Sequence, residues 1–90
     1  MKYRSRADIC TEILKIADRG TSKTKIMYGA YLSFTQLREY LKLLLDNGML
    51  SFDEKTMQYR TTETGHNFIK MYERIDQMFD RKQQTGSEKG

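Results

Sequence analysis

Apolar residues recur along this chain at two different periods, and each change of period marks a new element. Ala7, Cys10, Ile13, Leu14, Ile16 and Ala17 return every three or four residues, the stripe of an amphipathic helix. Ser5 stands in front as a cap, Asp8 completes a weak variant of the capping box, and Gly20 is a stop, so a helix is predicted over 5–19. A shorter helix follows over 22–29, capped by Thr21 or Ser22, with Ile26, Met27 and Ala30 inward and Tyr31-Leu32 as the turn behind it. Ser33 and Gln36 hold the capping-box spacing and start a third helix. Phe34, Leu37, Tyr40, Leu41, Leu44 and Leu45 supply its buried face, and Asn47-Gly48 ends it.

The period then drops to two. Leu50 and Phe52 alternate with Ser51 and Asp53, and Met57, Tyr59 and Thr61 alternate with Gln58 and Arg60. This predicts strands over 49–53 and 57–61. Their connection has no glycine, which favours a longer loop over a two-residue mirror turn. A lone hairpin is marginal in water, so this one must lie on the helices. From Thr62 or Glu63 the helical period resumes to about Lys82. Phe68, Met71, Tyr72, Ile75, Met78 and Phe79 form a narrow seam close to coiled-coil spacing. Residues 83–90 are polar with two glycines, the composition of a disordered tail.

Composition narrows the function classes. Ninety residues, 38% of them hydrophobic, allow one small globular domain. No apolar run approaches the ~20 residues of a membrane span and no secretory signal opens the chain, so a soluble, cytoplasmic protein is expected. Cys10 is the single cysteine and reads as a buried apolar thiol, leaving neither an intrachain disulfide nor a cysteine metal site. The net charge of +4 arises entirely in residues 1–25, where seven basic side chains face three acidic ones; residues 26–62 balance four against four and residues 63–90 five against five. A basic N-terminal quarter is compatible with phosphate contacts. No catalytic constellation or phosphate-cradling glycine loop is visible, and His66 is expected to face solvent, so an enzyme is not expected. Nor is a cofactor, metal or small-molecule ligand.

Helix, turn, helix and hairpin is the order of a winged helix, an α+β and mostly helical fold. The chain resembles the small archaeal winged-helix DNA-binding proteins that dimerise through a C-terminal antiparallel coiled coil. The resemblance spans about Tyr3 to Arg81 and is carried by Thr24-Lys25-Ile26-Met27-Tyr28, Leu32-Ser33-Phe34, Asn47-Gly48-Met49-Leu50 and Tyr59-Arg60-Thr61-Thr62-Glu63-Thr64-Gly65. It implies a winged-helix DNA-binding domain over 1–62 and a dimerisation helix over 63–82. It also implies double-stranded DNA and a second copy of the chain as partners, with a nucleoid-associated location and a role in transcription regulation or chromatin.

In such a module the third helix lies in the major groove. The candidate DNA contacts are Lys23, Lys25, Ser33, Thr35, Gln36, Arg38, Lys42, Lys55 and Arg60. Asp53 and Glu54 beside Lys55 argue against deep insertion of the wing tip. Tyr3 and Tyr31 are open to a DNA-backbone role, while Tyr28, Tyr40 and Tyr72 fall to core or interface. The candidate dimer interface is Phe68, Met71, Tyr72, Ile75, Met78 and Phe79. The alternative is a winged helix that binds protein instead of DNA. Exposed aromatics on the third helix would mark it, and Leu43 is the one apolar candidate there.

Overall fold

A computed structural model describes the backbone of residues 4–89 and the side chains of residues 4–79. The element order is α1 (Arg6–Ile16), α2 (Lys23–Gly29), α3 (Phe34–Asp46), β1 (Leu50–Asp53), β2 (Gln58–Thr61) and α4 (Glu63–Lys89). This is the expected winged helix with a long last helix.

The caps sit where the sequence places them. Ser5 and Asp8 form a reciprocal capping box at α1, Ser22 caps α2, and Ser33 with Gln36 forms a second capping box at α3. Each satisfies backbone N–H groups that a helix start leaves without partners. Ile9, Cys10, Ile13 and Leu14 of α1 and its C-cap Ala17 meet Ile26 and Ala30, Leu32, then Leu37, Leu41 and Leu44 of α3, and Leu50 in one core. Burial pushes the Cys10 thiol up from its ordinary value, with the Arg6 cation opposing, so it is the inert buried thiol expected.

The hairpin is antiparallel with Leu50 opposite Thr61 and Phe52 opposite Tyr59. Four residues connect the strands, with Met57 at a φ of 58° and the Asp53 carboxylate accepting from the Lys55 N–H. The hairpin is not alone. Thr21 and Tyr59 exchange backbone bonds of 2.9 and 2.8 Å, a one-residue third strand that hydrophobic patterning did not disclose. Thr61 is buried, and its hydroxyl and N–H donate to the carbonyls of Leu14 and Ala17 at the end of α1. These bonds supply the support a two-stranded sheet lacks.

Two expectations about α4 change. The segment from Gln83, assigned to a disordered tail, continues the helix to Lys89. No proline interrupts this segment, and propagation from an existing helix needs only one further bond per residue, which carries it past Thr85, Gly86 and Ser87. His66 does not face solvent freely: it is half-buried, with Nε2 2.5 Å from Asp18 Oδ1. That contact, a Lys15–Glu73 ion pair of 3.0 Å and a hydrogen bond from the Tyr72 hydroxyl to Asp8 lash α4 along α1.

Gly65, in the first turn of α4, packs on the start of β1. A Cβ there would collide with the Met49 carbonyl oxygen and the Thr61 methyl. Gly65→Ala is expected to destabilise the fold by about 1–3 kcal/mol through overpacking against a backbone atom. Urea unfolding measures it, and an unchanged midpoint would refute this close packing. Tyr31 supplies the opposite case. It adopts a φ of 56°, is 82% exposed, and sits just past α2 where glycine is ordinary. The left-handed conformation costs a side-chain-bearing residue about 1–2 kcal/mol, against about 0.5–1 kcal/mol that glycine loses in backbone entropy. Tyr31→Gly is therefore expected to raise stability modestly, by up to about 1 kcal/mol, measured as a higher urea midpoint; a lower midpoint would show that the ring contributes to the fold.

Candidate nucleic-acid interface

The surface formed by the start of α2, the turn and α3 is built from the caps outward. The Ser22 hydroxyl accepts from the Lys25 N–H at 3.2 Å, which sets Lys23 and Lys25 in the first turn of α2, both exposed. At the other end of α2 the Leu32 N–H donates to the Met27 carbonyl and the Tyr31 N–H to the Tyr28 carbonyl, a Schellman closure with Tyr31 in the position glycine usually holds. Arg4 locks this turn from outside. Its guanidinium donates to the carbonyls of Ala30 at 2.6 Å and Tyr31 at 3.1 Å while pairing with Glu12 at 2.6 Å. Of the basic side chains in the N-terminal quarter, Arg4 is thus held within the protein.

On α3 the spacing of four residues aligns Phe34, Arg38 and Lys42 along one exposed row. Thr35, Arg38, Glu39 and Lys42 line an open concavity on that face. A second concavity between α3 and the wing is lined by Lys23, Arg38, Lys42, Asp46 and Tyr59. The structure thus brings Lys23, Thr35, Arg38 and Lys42 together. Lys42 is shared with Asp46, a surface ion pair of 2.9 Å.

The remaining candidates separate from this group. Ser33 and Gln36 hold each other: the Ser33 hydroxyl accepts from the Gln36 N–H, and Gln36 Oε1 accepts from the Ser33 N–H at 3.0 Å. A glutamine reads adenine with both its amide oxygen and nitrogen, so the capping box leaves Gln36 half its reading capacity. Arg60 lies on the outer face of the wing over Gly20, away from the Tyr59 side that faces α3. Lys55 stands at the wing tip and Lys25 is exposed on α2. Tyr3 lies outside the described residues.

Three apolar or aromatic placements differ from expectation. Phe34, assigned to the buried face, is 57% exposed, and its ring centroid lies 5.8 Å from the Arg38 guanidinium and 6.0 Å from Lys23 Nζ. It occupies the first helical position, on the exposed row of Arg38 and Lys42 rather than on the face of Leu37, Leu41 and Leu44. Tyr28 is exposed because it lies two residues from both Ile26 and Ala30, on the opposite side of α2. Leu43, the suspected exposed apolar residue, is half-buried instead. Chemically the surface offers a planar guanidinium, two ammonium groups, a threonine hydroxyl and an exposed aromatic ring.

On α4 the seam divides. Phe68 and Tyr72, expected at a dimer interface, are half-buried against their own domain, joined there by Ile69, which periodicity missed. Met71, Ile75, Met78 and Phe79 are exposed, Ile75 by 51%. Among the described residues no group of acidic, histidine or cysteine side chains could hold a metal ion, and no helix is long and apolar enough to cross a membrane.

Comparison with known proteins fits this architecture. The chain is 31% identical over 78 residues to the uncharacterized protein MJ0287 of the archaeon Methanocaldococcus jannaschii, covering 86% of this chain and 75% of that one. Its structure superposes with a TM-score of 0.81 on the crystal structure of Sso10a-2, a DNA-binding protein from Sulfolobus solfataricus. That match covers 94% of this chain and 92% of the other at 21% identity, a likeness of fold. The winged helix-turn-helix family model matches residues 3–80, and the chain belongs to that family.

Proposed function

We propose that this protein binds double-stranded DNA as a homodimer and serves transcription regulation or chromatin association, with α3 presented to the major groove. The observation that carries the reading is the convergence of Lys23, Thr35, Arg38 and Lys42 on the exposed face of the second helix of a helix-turn-helix. Major-groove readers place such a helix against base edges and take phosphate contacts from flanking cations. The likeness to Sso10a-2 supports the same function. Arg60 and Lys55, on the far side and tip of the wing, are assigned to flanking phosphates.

A protein-binding winged helix is the second reading, and the exposed rings of Tyr28, Tyr31 and Phe34 favour it. Against it, lysine is depleted from protein–protein interfaces, and lysine accompanies Phe34 here. Salt dependence separates the two. Arg38→Ala is expected to weaken DNA binding by about 1–3 kcal/mol if the guanidinium takes a bidentate base contact. The Lys23→Ala/Lys25→Ala double variant should reduce the slope of log affinity against log salt by about two, one for each phosphate no longer neutralised. Gel-shift titration at several salt concentrations measures both, and unchanged binding in both variants would turn the assignment to the protein-binding reading.

The dimer rests on α4. Met71, Ile75, Met78 and Phe79 leave an apolar strip that isolated soluble chains seldom keep uncovered. Antiparallel pairing of two such helices sets the winged helices some ~30 Å apart by helix rise, near the ~34–36 Å between half-sites one DNA turn apart. Ile75→Glu places a charge in that seam and should yield a monomer in sedimentation. A wild-type chain that sediments as a monomer at tens of micromolar would remove the dimer, and an intact Ile75→Glu dimer would move the interface elsewhere.

A further inference from the structure

We propose that Phe34 reads thymine in the major groove, its exposed ring resting on the thymine 5-methyl group. The proposal rests on the double-stranded DNA reading above and names what that surface selects. A phenylalanine more than half exposed at the first position of α3 contributes little to the core. Its ring stands among the groups that would meet DNA: Arg38 is one helical turn along the same row, Lys23 reaches it from α2, and Thr35 is its neighbour. Both cations lie about at the ~6 Å reach of a cation–π contact, so positive charge flanks the ring. A polyanion drawn to Lys23 and Arg38 is thereby brought onto Phe34. Glu39 is the acid on the adjoining face, and Asp46 is paired with Lys42.

The available chemistry then selects the base. With Gln36 half engaged in its capping box, hydrogen-bond readout at the start of α3 falls to Arg38 and Thr35. The one apolar group that a base pair presents in the major groove is the thymine methyl. An exposed aromatic ring has no better complement on a base edge there.

The test uses a short mixed-sequence duplex and the same duplex with every thymine replaced by deoxyuridine, which removes the methyl and leaves every hydrogen-bonding group. The wild-type chain should bind the deoxyuridine duplex more weakly, by about fourfold per methyl covered, taking the burial of one methyl-sized group. The ratio should persist across salt concentrations, because no phosphate contact changes. Phe34→Ala should bind the two duplexes equally, and Phe34→Leu should keep part of the preference. Equal binding of both duplexes by the wild-type chain would overturn the inference while leaving DNA binding intact, and needs no variant to be folded. An undiminished preference in Phe34→Ala would also overturn it, by assigning the methyl effect to another residue or to DNA stiffness. Failure to bind either duplex would instead sink the DNA reading on which this one stands.

Discussion

The five residues Thr61 to Gly65 hold the molecule together, because α1, the end of α3, the wing and α4 are bonded through them. Thr61 is buried and ties β2 to the last carbonyls of α1. The Thr62 N–H donates to the Met49 carbonyl at 3.0 Å, and its hydroxyl donates to the Gly48 carbonyl while accepting from the Gly65 N–H. One hydroxyl therefore joins the end of α3 to the start of α4. Gly65 lets the backbone of α4 approach Met49 more closely than any side chain permits. Unpaired backbone groups in such a crowded junction would each carry a penalty of about 1–3 kcal/mol, so the wing, α3 and α4 share one fixed geometry.

That junction explains how α3 can carry exposed apolar groups without sinking them into the core. Gly48 and Met49 close the C-terminal end of α3 with their N–H groups bonded to Leu45 and Leu44, and the capping box fixes its start. Leu37, Leu41 and Leu44 hold the inner face. With both ends and one face determined, the helix cannot roll to bury Phe34. The ring stays at the surface beside Arg38, and the strained Tyr31 turn stays beside it, held by Arg4 through its carbonyl. Strain and exposed aromatics in one place are the pattern expected of a binding surface.

The helices, caps and wing were legible because each rests on local chemistry: capping spacings, a glycine stop, a change of period. What was misread on α3 lies at the edges of its apolar stripe. Hydrophobic period marks the face of a helix but not how wide a strip of that face the core covers. Phe34 stands at the edge of the stripe of Leu37, Leu41 and Leu44, on the row of Arg38 and Lys42, and is exposed. In α4 helix rise carries Ile75, Met78 and Phe79 beyond the domain, while Phe68 and Tyr72 meet it. The lashings of Thr21 to Tyr59, Arg4 to the turn, and His66 to Asp18 join polar residues far apart in sequence. No pattern of apolar residues announces such pairs. The cluster of Lys23, Thr35, Arg38 and Lys42 stands out in sequence because helix spacing and charge both mark it, and the capping-box spacing already ties Gln36 to Ser33, whereas the diversion of Arg4 to structural bonds shows only in three dimensions.

The divided seam of α4 links the two ends of the molecule. Its first turns are clasped to α1 through Asp8–Tyr72, Lys15–Glu73 and Asp18–His66. None of the three is strong alone: a surface ion pair such as Lys15–Glu73 contributes about 0–1 kcal/mol, and a single hydrogen bond such as that of Tyr72 about 0.5–1.5 kcal/mol. Together with Phe68 and Ile69 on the core they fix the direction in which α4 leaves the domain. The apolar residues beyond Tyr72 then project along that direction, and the molecule measures 55 × 28 × 19 Å. A rigid departure angle means that whatever covers Ile75 and Phe79 inherits a defined orientation relative to α3. A flexible linker would pass on affinity through proximity alone; a clasped helix also passes on register. In the proposed homodimer the polar clasp on α1 would set the angle and the apolar strip beyond it would meet the second copy.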